Sequence, residues 1–324
     1  MLQIYGDNYV EAQWFADLSP HLVDAELVML GKRGSHGMGI DDLLTYDRPD
    51  IILAKDGAPV LTVEKTREVP TGHNVGQRVA RLVRSVEVRV PSIKFFPFDA
   101  MKHGEWAGVC NLNARLLAAF EAMTDIHDTP MLAVNWPADE SWELLTDGSE
   151  DSEMRALVQS FVDAGMTRWW PEARVVLEEM REEHRQRVEV FPEYSRPPKS
   201  APIKSTAGLI AEVEYSLGRD VPELAPLQVR EQTLAYKIGM NPANCRREDP
   251  YTGTQFIYDY AWCRTGPRPE QKRRNLVLWL PRIPKEIWFD KNPDDPNRKS
   301  CNWYLTANAL IFSDGVELLR ASES

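Results

Sequence analysis

Two carboxylates in this chain have the type and spacing to do chemistry together. The segment RPDIILAKDGAPVLTVEKT, residues 48–66, puts Asp50 at the start of one apolar run and Glu64 near the end of the next, with Asp56-Gly57 between them. Asp-Gly between two β-branched, alternating runs is a hairpin signal. Carboxylates brought together at strand ends offer hard oxygen ligands to a divalent cation. Such an ion can activate water and neutralise charge on a phosphodiester. The register decides whether the two acids meet. A two-residue loop, Asp56-Gly57, sets Asp50 opposite Val63 and leaves Glu64 on the other face. A three-residue loop, or a bulge, sets Asp50 opposite Glu64, because a one-residue slip changes every face. The metal reading therefore requires the longer loop or the bulge. An ordinary surface hairpin with edge charges satisfies the same spacing.

The stretch that follows, residues 71–92, reads as an amphipathic helix over roughly 74–88. Val75, Val79, Leu82, Val83 and Val86 make one apolar stripe. Gln77, Arg78, Arg81 and Arg84 lie on the rest of the circumference, and Arg89 follows. An arginine-rich face suits phosphate contact, since the guanidinium fork matches phosphate oxygens. A solvated face of an ordinary helix is the plainer account. His73 and Asn74 stand at the helix entrance.

Pro49, Asp50 and Glu64, on a hairpin followed by a helix, resemble the motif of the PD-(D/E)xK nuclease superfamily, which includes many restriction enzymes. The resemblance covers residues 1–136 at most and rests on a short motif. It implies a restriction-endonuclease-like core, with a helix before the hairpin and a mixed sheet after it. It also implies a metal-dependent endonuclease of restriction type II-like activity on double-stranded DNA, with Mg2+ held by Asp50 and Glu64. The family's lysine, two residues after the second acid, helps position or activate the attacking water. Here that position is Thr66, and the lysine is Lys65, one residue early. In a regular strand Lys65 points away from Glu64, so a bulge would have to turn it inward. Lys65 is assigned the catalytic role on this basis, with Thr66, Lys94 and Gln77 as substitutes. Glu26, Asp41 and Asp42 are the candidates for a further acid from a preceding helix.

These residues need elements to hold them. The first 189 residues alternate helical and strand patterns: helices near 8–17, 20–30, 74–88, 113–126 and within 152–186, and strands near 49–54, 59–63, 92–98 and 131–136. The Gly31–Gly39 stretch reads as a flexible connection. Alternation of this kind predicts an α/β core with a mixed central sheet flanked by helices. Pro192, Pro197, Pro198 and Pro202 make 190–206 a linker candidate. Residues 207–324 read as a smaller α+β region for DNA recognition or dimerisation, with a helix over 207–217 and strands near 254–264, 274–280 and 303–312. Phe256, Tyr258, Tyr260 and Trp262 alternate along one of those strands and are read as core. Trp279, Trp288 and Trp303 are read as core anchors.

The 324 residues carry 38 Lys plus Arg against 49 Asp plus Glu, a net charge of −11. That excludes coating of nucleic acid by bulk charge but not local basic surfaces. Residues 62–94 have a local excess of basic groups, as do residues 264–299, while 138–186 is strongly acidic. Arg264, Arg268, Lys272, Arg273 and Arg274 form the second basic cluster and are read with the helix arginines as DNA-binding. Cys110, Cys245, Cys263 and Cys301 form no Cys-x-x-Cys pair, which argues against a zinc ribbon and a disulfide framework. No apolar run is long enough for a membrane span, and no secretory leader is evident, so a cytoplasmic location is expected. Phosphate-loop, dinucleotide, nucleophile-elbow and zincin motifs are absent. The expected partner besides DNA is a second copy of the chain, because cutting both strands needs two sites. Two other readings compete. One is a catalytically inactive nuclease-like DNA-binding subunit of a defence or repair complex, favoured by the displaced lysine. The other is an unrelated α/β enzyme in which the hairpin is incidental and the acidic segment 138–186 is the interaction surface.

Overall fold

The structure is a computed structural model that describes residues 1–31, 33–70, 73–104, 107–192, 202–244, 260, 274–290 and 303–321, with backbone alone at 73–77, 244, 290 and 303. It is a mixed α/β protein that divides into two units, Met1–Asn74 with Arg81–Arg196, and Val75–Ala80 with Pro197–Ser324.

The first unit is built on a six-stranded sheet. Its strands are β1 (Leu2–Gly6), β2 (Glu26–Met29), β3 (Ile51–Lys55), β4 (Ala58–Lys65), β5 (Ser92–Phe96) and β8 (Met131–Asn135), in the order β2-β1-β3-β4-β5-β8. A separate hairpin, β6 (Asp99–Lys102) with β7 (Gly108–Asn111), lies outside the sheet order. The sheet is mixed. β1 runs parallel to β2 and antiparallel to β3, and β4, β5 and β8 run parallel to one another. Helices flank it: α1 (Tyr9–Ala16), α2 (Met38–Leu43), α3 (His73–Glu87), α4 (Ala114–His127), α5 (Ser152–Asp163) and α6 (Pro171–Val190).

The two sheet faces have different coverings. Side chains alternate along β4, so Thr62 and Glu64 share one face while Val63 and Lys65 share the other. On the Lys65 face, Phe95 of β5 stacks on Trp14 of α1 with centroids 5.8 Å apart, and on Trp136 at 4.8 Å. On the Thr62 face, Ser85 of α3 takes a hydrogen bond from the Thr62 hydroxyl at 2.9 Å. Tyr5, Leu30, Ile40, Leu43, Leu44, Ile52, Ala54 and Val90 form a buried cluster that seats α2 against the strands.

Residues 20–30 do not form the helix their sequence predicts. Leu22 donates to the Ser19 carbonyl and Ala25 to the Leu22 carbonyl, two short turns. Glu26–Met29 then pairs with β1, residue for residue from Gln3↔Glu26 to Gly6↔Met29. Pairing along a whole strand outweighs a capping signal worth about 1 kcal/mol. The glycine stretch ends in a helix, α2, which starts at Met38 after Gly37, while Gly34 sits at φ +92.

The second unit holds a five-stranded sheet in the order β13-β12-β11-β10-β9. Its strands are β9 (Ile203–Ser205), β10 (Gln232–Lys237), β11 (Asn275–Trp279), β12 (Ala309–Ile311) and β13 (Val316–Leu318). The central three are parallel and the edges antiparallel. Helix α7 (Thr206–Leu217) is capped by Ser205, whose hydroxyl accepts from the Gly208 N–H, and ends at Gly218 with φ +64. Leu209, Val213, Leu224, Leu227, Val277 and Ile311 lie at the centre of its core. The strand predicted over 303–312 begins instead as a 3-10 turn, Trp303–Thr306, and only Ala309–Ile311 is extended. The strand predicted near 254–264, with Phe256, Tyr258 and Trp262, lies outside the described residues, while Tyr260, Trp279 and Trp288 are buried.

Candidate active site: an acid pair closed by an arginine

The hairpin combines a tight turn with a shift of register. Asp56 and Gly57 have φ +52 and +79, the signs a two-residue I′ turn needs. Near the turn, Lys55 pairs with Ala58 and Ala54 with Pro59. Past Leu53, the pairs become Leu53↔Leu61, Ile52↔Thr62 and Ile51↔Val63. Val60 is therefore a bulge, one extra residue on β4. Continued by one residue, the shifted register sets Asp50 opposite Glu64, the arrangement that a plain two-residue hairpin denies.

The hydrogen bonds agree with that placement. Asp50 Oδ2 accepts from the Lys65 backbone N–H at 2.8 Å. Nη1 of Arg81, on α3, donates to Asp50 Oδ1 at 3.4 Å and to Glu64 Oε2 at 3.0 Å, while Nη2 donates to Asp47 Oδ2 at 2.8 Å. Glu64 is 1% exposed and Asp50 15%. Burial first, and the Glu64 charge second, push the Asp50 carboxyl up to about 7 against the pull of Arg81. Burial also raises the pKa of Asp47. For Arg81, burial would lower the pKa, but Glu64, Asp47 and Asp50 outweigh it and raise it, so the guanidinium stays charged.

Helix α3 is held in place by a small polar network beneath the acids. Thr62, wholly buried, donates to Ser85 at 2.9 Å and lies within hydrogen-bond distance of the Ser92 hydroxyl at 3.0 Å, and the Ser85 hydroxyl donates to the Arg81 carbonyl at 3.3 Å. This ties the turn carrying Arg81 to β4 and β5.

The other residues read from the sequence fall as follows. Lys65 does not join the acid pair. The bulge lies five residues before it, and β4 is regular from Leu61 onward, so its side chain leaves on the opposite face. There Nζ sits 3.6 Å from the Trp14 ring centroid and 5.0 Å from that of Trp136. Burial lowers its pKa, and Asp151 and Glu11 act against that. Lys94 is the register neighbour of Glu64 on β5 and is 1% exposed, with Nζ 5.5 Å from the Phe96 ring. Thr66 is 7% exposed; its N–H donates to the Phe95 carbonyl at 3.0 Å and its hydroxyl oxygen accepts from the Glu68 N–H at 3.3 Å.

The outward arginine face predicted for α3 is not what Arg81 and Arg84 form. Arg84 pairs with Asp42 and with Glu87 and is 22% exposed. Arg78 is half-buried, and the Gln77 side chain lies outside those described. Arg264, Arg268, Lys272 and Arg273 also lie outside the described residues. Arg274 donates from Nε to Gln232 Oε1 at 2.9 Å.

Of the candidate extra acids, Glu26 accepts from Gln3 at 2.8 Å, Asp41 from the Gly34 N–H at 2.8 Å, and Asp42 is taken by Arg84. Two acids that sequence reasoning passed over act on the pair instead, one by contact with Arg81 and one through its charge. Asp47 anchors Arg81. Glu11, on α1, interacts electrostatically with Glu64, Lys65 and Asp50, and its pKa is raised by burial and by Asp7. Glu11 had a signal: Asn8-Tyr-Val-Glu11 has the spacing of a capping box, and Asn8 does accept from the Glu11 N–H at 2.9 Å.

The donor set suits Mg2+ in part. Two carboxylates present hard oxygens, enough for an ion that keeps several waters, but the Arg81 Nη1 already occupies the position between them. Among the described residues, no group of three or more His, Cys, Asp or Glu side chains is arranged to hold a metal ion. Nor is any helix long and apolar enough to cross a membrane.

Comparison with known proteins returns no match: no protein-family model, no curated protein and no solved structure aligns significantly with this chain.

Proposed function

We propose that the chain is a metal-dependent endonuclease of double-stranded DNA, restriction type II-like, with Asp50 and Glu64 as ligands for Mg2+ or Mn2+. One observation carries this reading: the Val60 bulge turns a hairpin that would separate the two acids into one that pairs them, and both lie within 3.4 Å of a single Arg81 nitrogen. The bound ion would neutralise charge on the phosphodiester and make water a better nucleophile. The chain supplies the rest. The Lys65 N–H fixes the Asp50 carboxylate, and burial holds Glu64 to one orientation. Lys94, beside Glu64 in the sheet, takes the amine role that sequence alone gave to Lys65. A homodimer supplies the second site for the second strand.

The position of Arg81 favours a second reading, a nuclease-like DNA-binding subunit in which the acids are permanently neutralised. Incubation of the full chain with plasmid DNA and Mg2+ or Mn2+ separates the two. Cleavage lost in Asp50→Ala and Glu64→Ala supports the nuclease. DNA binding with no cleavage by the unaltered protein supports the subunit. Cleavage indifferent to both substitutions refutes the site.

A further inference from the structure

We propose that Arg81 is a resident counter-ion of the acid pair that gives way to a divalent cation, so that the site has an arginine-held closed state and a cation-held open state. This rests on the reading of Asp50 and Glu64 as cation ligands.

The geometry of the three contacts points to exchange. Arg81 uses one nitrogen for the pair and the other for Asp47. The oxygens that Nη1 touches, Asp50 Oδ1 and Glu64 Oε2, are donors a divalent ion would need, so guanidinium and metal compete for them. The grip is uneven. The Asp47 contact is 2.8 Å, that to Glu64 3.0 Å, and that to Asp50 3.4 Å, the last near the limit of a useful hydrogen bond. Asp47 lies outside the pair and is 14% exposed. It can keep Nη2 while Nη1 lets go, so release is a swing about Asp47 and the fork retains a charged partner. The backbone need not move, since Ser85 and Thr62 pin the turn that carries Arg81.

The test measures Mn2+ affinity of the full chain by calorimetry, with Glu64→Gln as the control that the ion binds at this site. Arg81→Met removes both charge and fork. Arg81→Lys keeps the charge and loses the fork. Exchange predicts binding at least tenfold tighter in Arg81→Met and about threefold tighter in Arg81→Lys, and a larger rise of the melting temperature on adding Mn2+ for Arg81→Met than for the unaltered protein. Arg81→Lys binding no tighter than the unaltered protein overturns the exchange and leaves static repulsion. Weaker binding by Arg81→Met, or no recovery of its melting transition in saturating Mn2+, overturns it too. If none of these proteins binds Mn2+, the ligand reading itself fails, and the exchange with it.

Discussion

Replacing Gly6 by alanine tests how tightly the first helix is seated beside the acid pair. Gly6 ends β1, and the chain turns there into α1. A Cβ at this position would stand 2.8 Å from the Ala12 Cβ and 2.8 Å from the Asn8 carbonyl oxygen. Ordinary contacts of this kind begin near 3.4 Å. Neither neighbour is the free end of a long side chain, so α1 must shift by several tenths of an ångström. Overpacking of this size costs about 1–3 kcal/mol. For a unit of this size that is a fall of roughly 2–12 °C in melting temperature, at about 2–4 °C per kcal/mol. The shift also moves Trp14 away from Lys65 and from Phe95, so tryptophan emission should change before unfolding begins. Scanning calorimetry and fluorescence measure both effects. Ala12→Gly removes one of the two collisions at its own cost in helix propensity, so recovery in the double variant means a loss smaller than the sum of the two single substitutions. An unchanged melting temperature in Gly6→Ala, or no recovery in the double variant, would refute the packing account.

Three other outcomes follow from buried polar groups. Thr62→Val removes the hydroxyl that joins β4 to α3 and β5 and should cost about 1–3 kcal/mol in urea melts, whereas Thr62→Ser should retain most of it. Asn275→Ala removes the amide that donates to the Leu227 carbonyl at 2.9 Å and to the Thr233 hydroxyl oxygen at 3.0 Å in the second unit's core, and should destabilise that unit by about 2–4 kcal/mol while leaving Mn2+ affinity unchanged. Glu153 has its pKa pushed up to about 7 by burial and by Glu179 and Glu172, so the folded state holds its proton more tightly than the unfolded chain. Its stabilising contribution is present below about pH 4.5 and is lost as pH rises through 7. Glu153→Gln should match the unaltered protein at pH 4 and exceed it by about 1 kcal/mol at pH 8, allowing for solvent screening. Equal melting temperatures at pH 8 would count against that assignment.

Much of the sheet was legible because its signals are local. Asp56-Gly57, the apolar and β-branched run Val60–Val63 of β4 and the stripe Val79, Leu82, Val83, Val86 each announce one element. The site was legible only in part. The sequence narrowed the pairing of Asp50 with Glu64 to a condition, a longer loop or a bulge, and nothing in Pro59-Val60-Leu61 marks which residue is extra. Arg81 read as solvent-facing because the apolar stripe of α3 lies elsewhere on the wheel; its inward turn depends on carboxylates of β4 and of the segment before β3, which come near only in the fold. Lys65 followed the simple alternation rule, so the displaced lysine stayed displaced. Residues 20–30 went wrong because Ser19-Pro20 is a short-range signal, whereas the pairing of Glu26–Met29 with β1 is a long-range one.

The Val60 bulge makes the hairpin unequal in what changes of length it absorbs. Loss of any one residue between Ala58 and Thr62 can be met by ironing out the bulge, and Asp50 still faces Glu64. Gain of one residue in the same stretch finds no slack and turns Glu64 over unless a second bulge forms. Relatives of this chain should accordingly show shorter β4 strands more readily than longer ones, and a designed library of single deletions and insertions across 58–62 would reveal the same asymmetry in Mn2+ affinity.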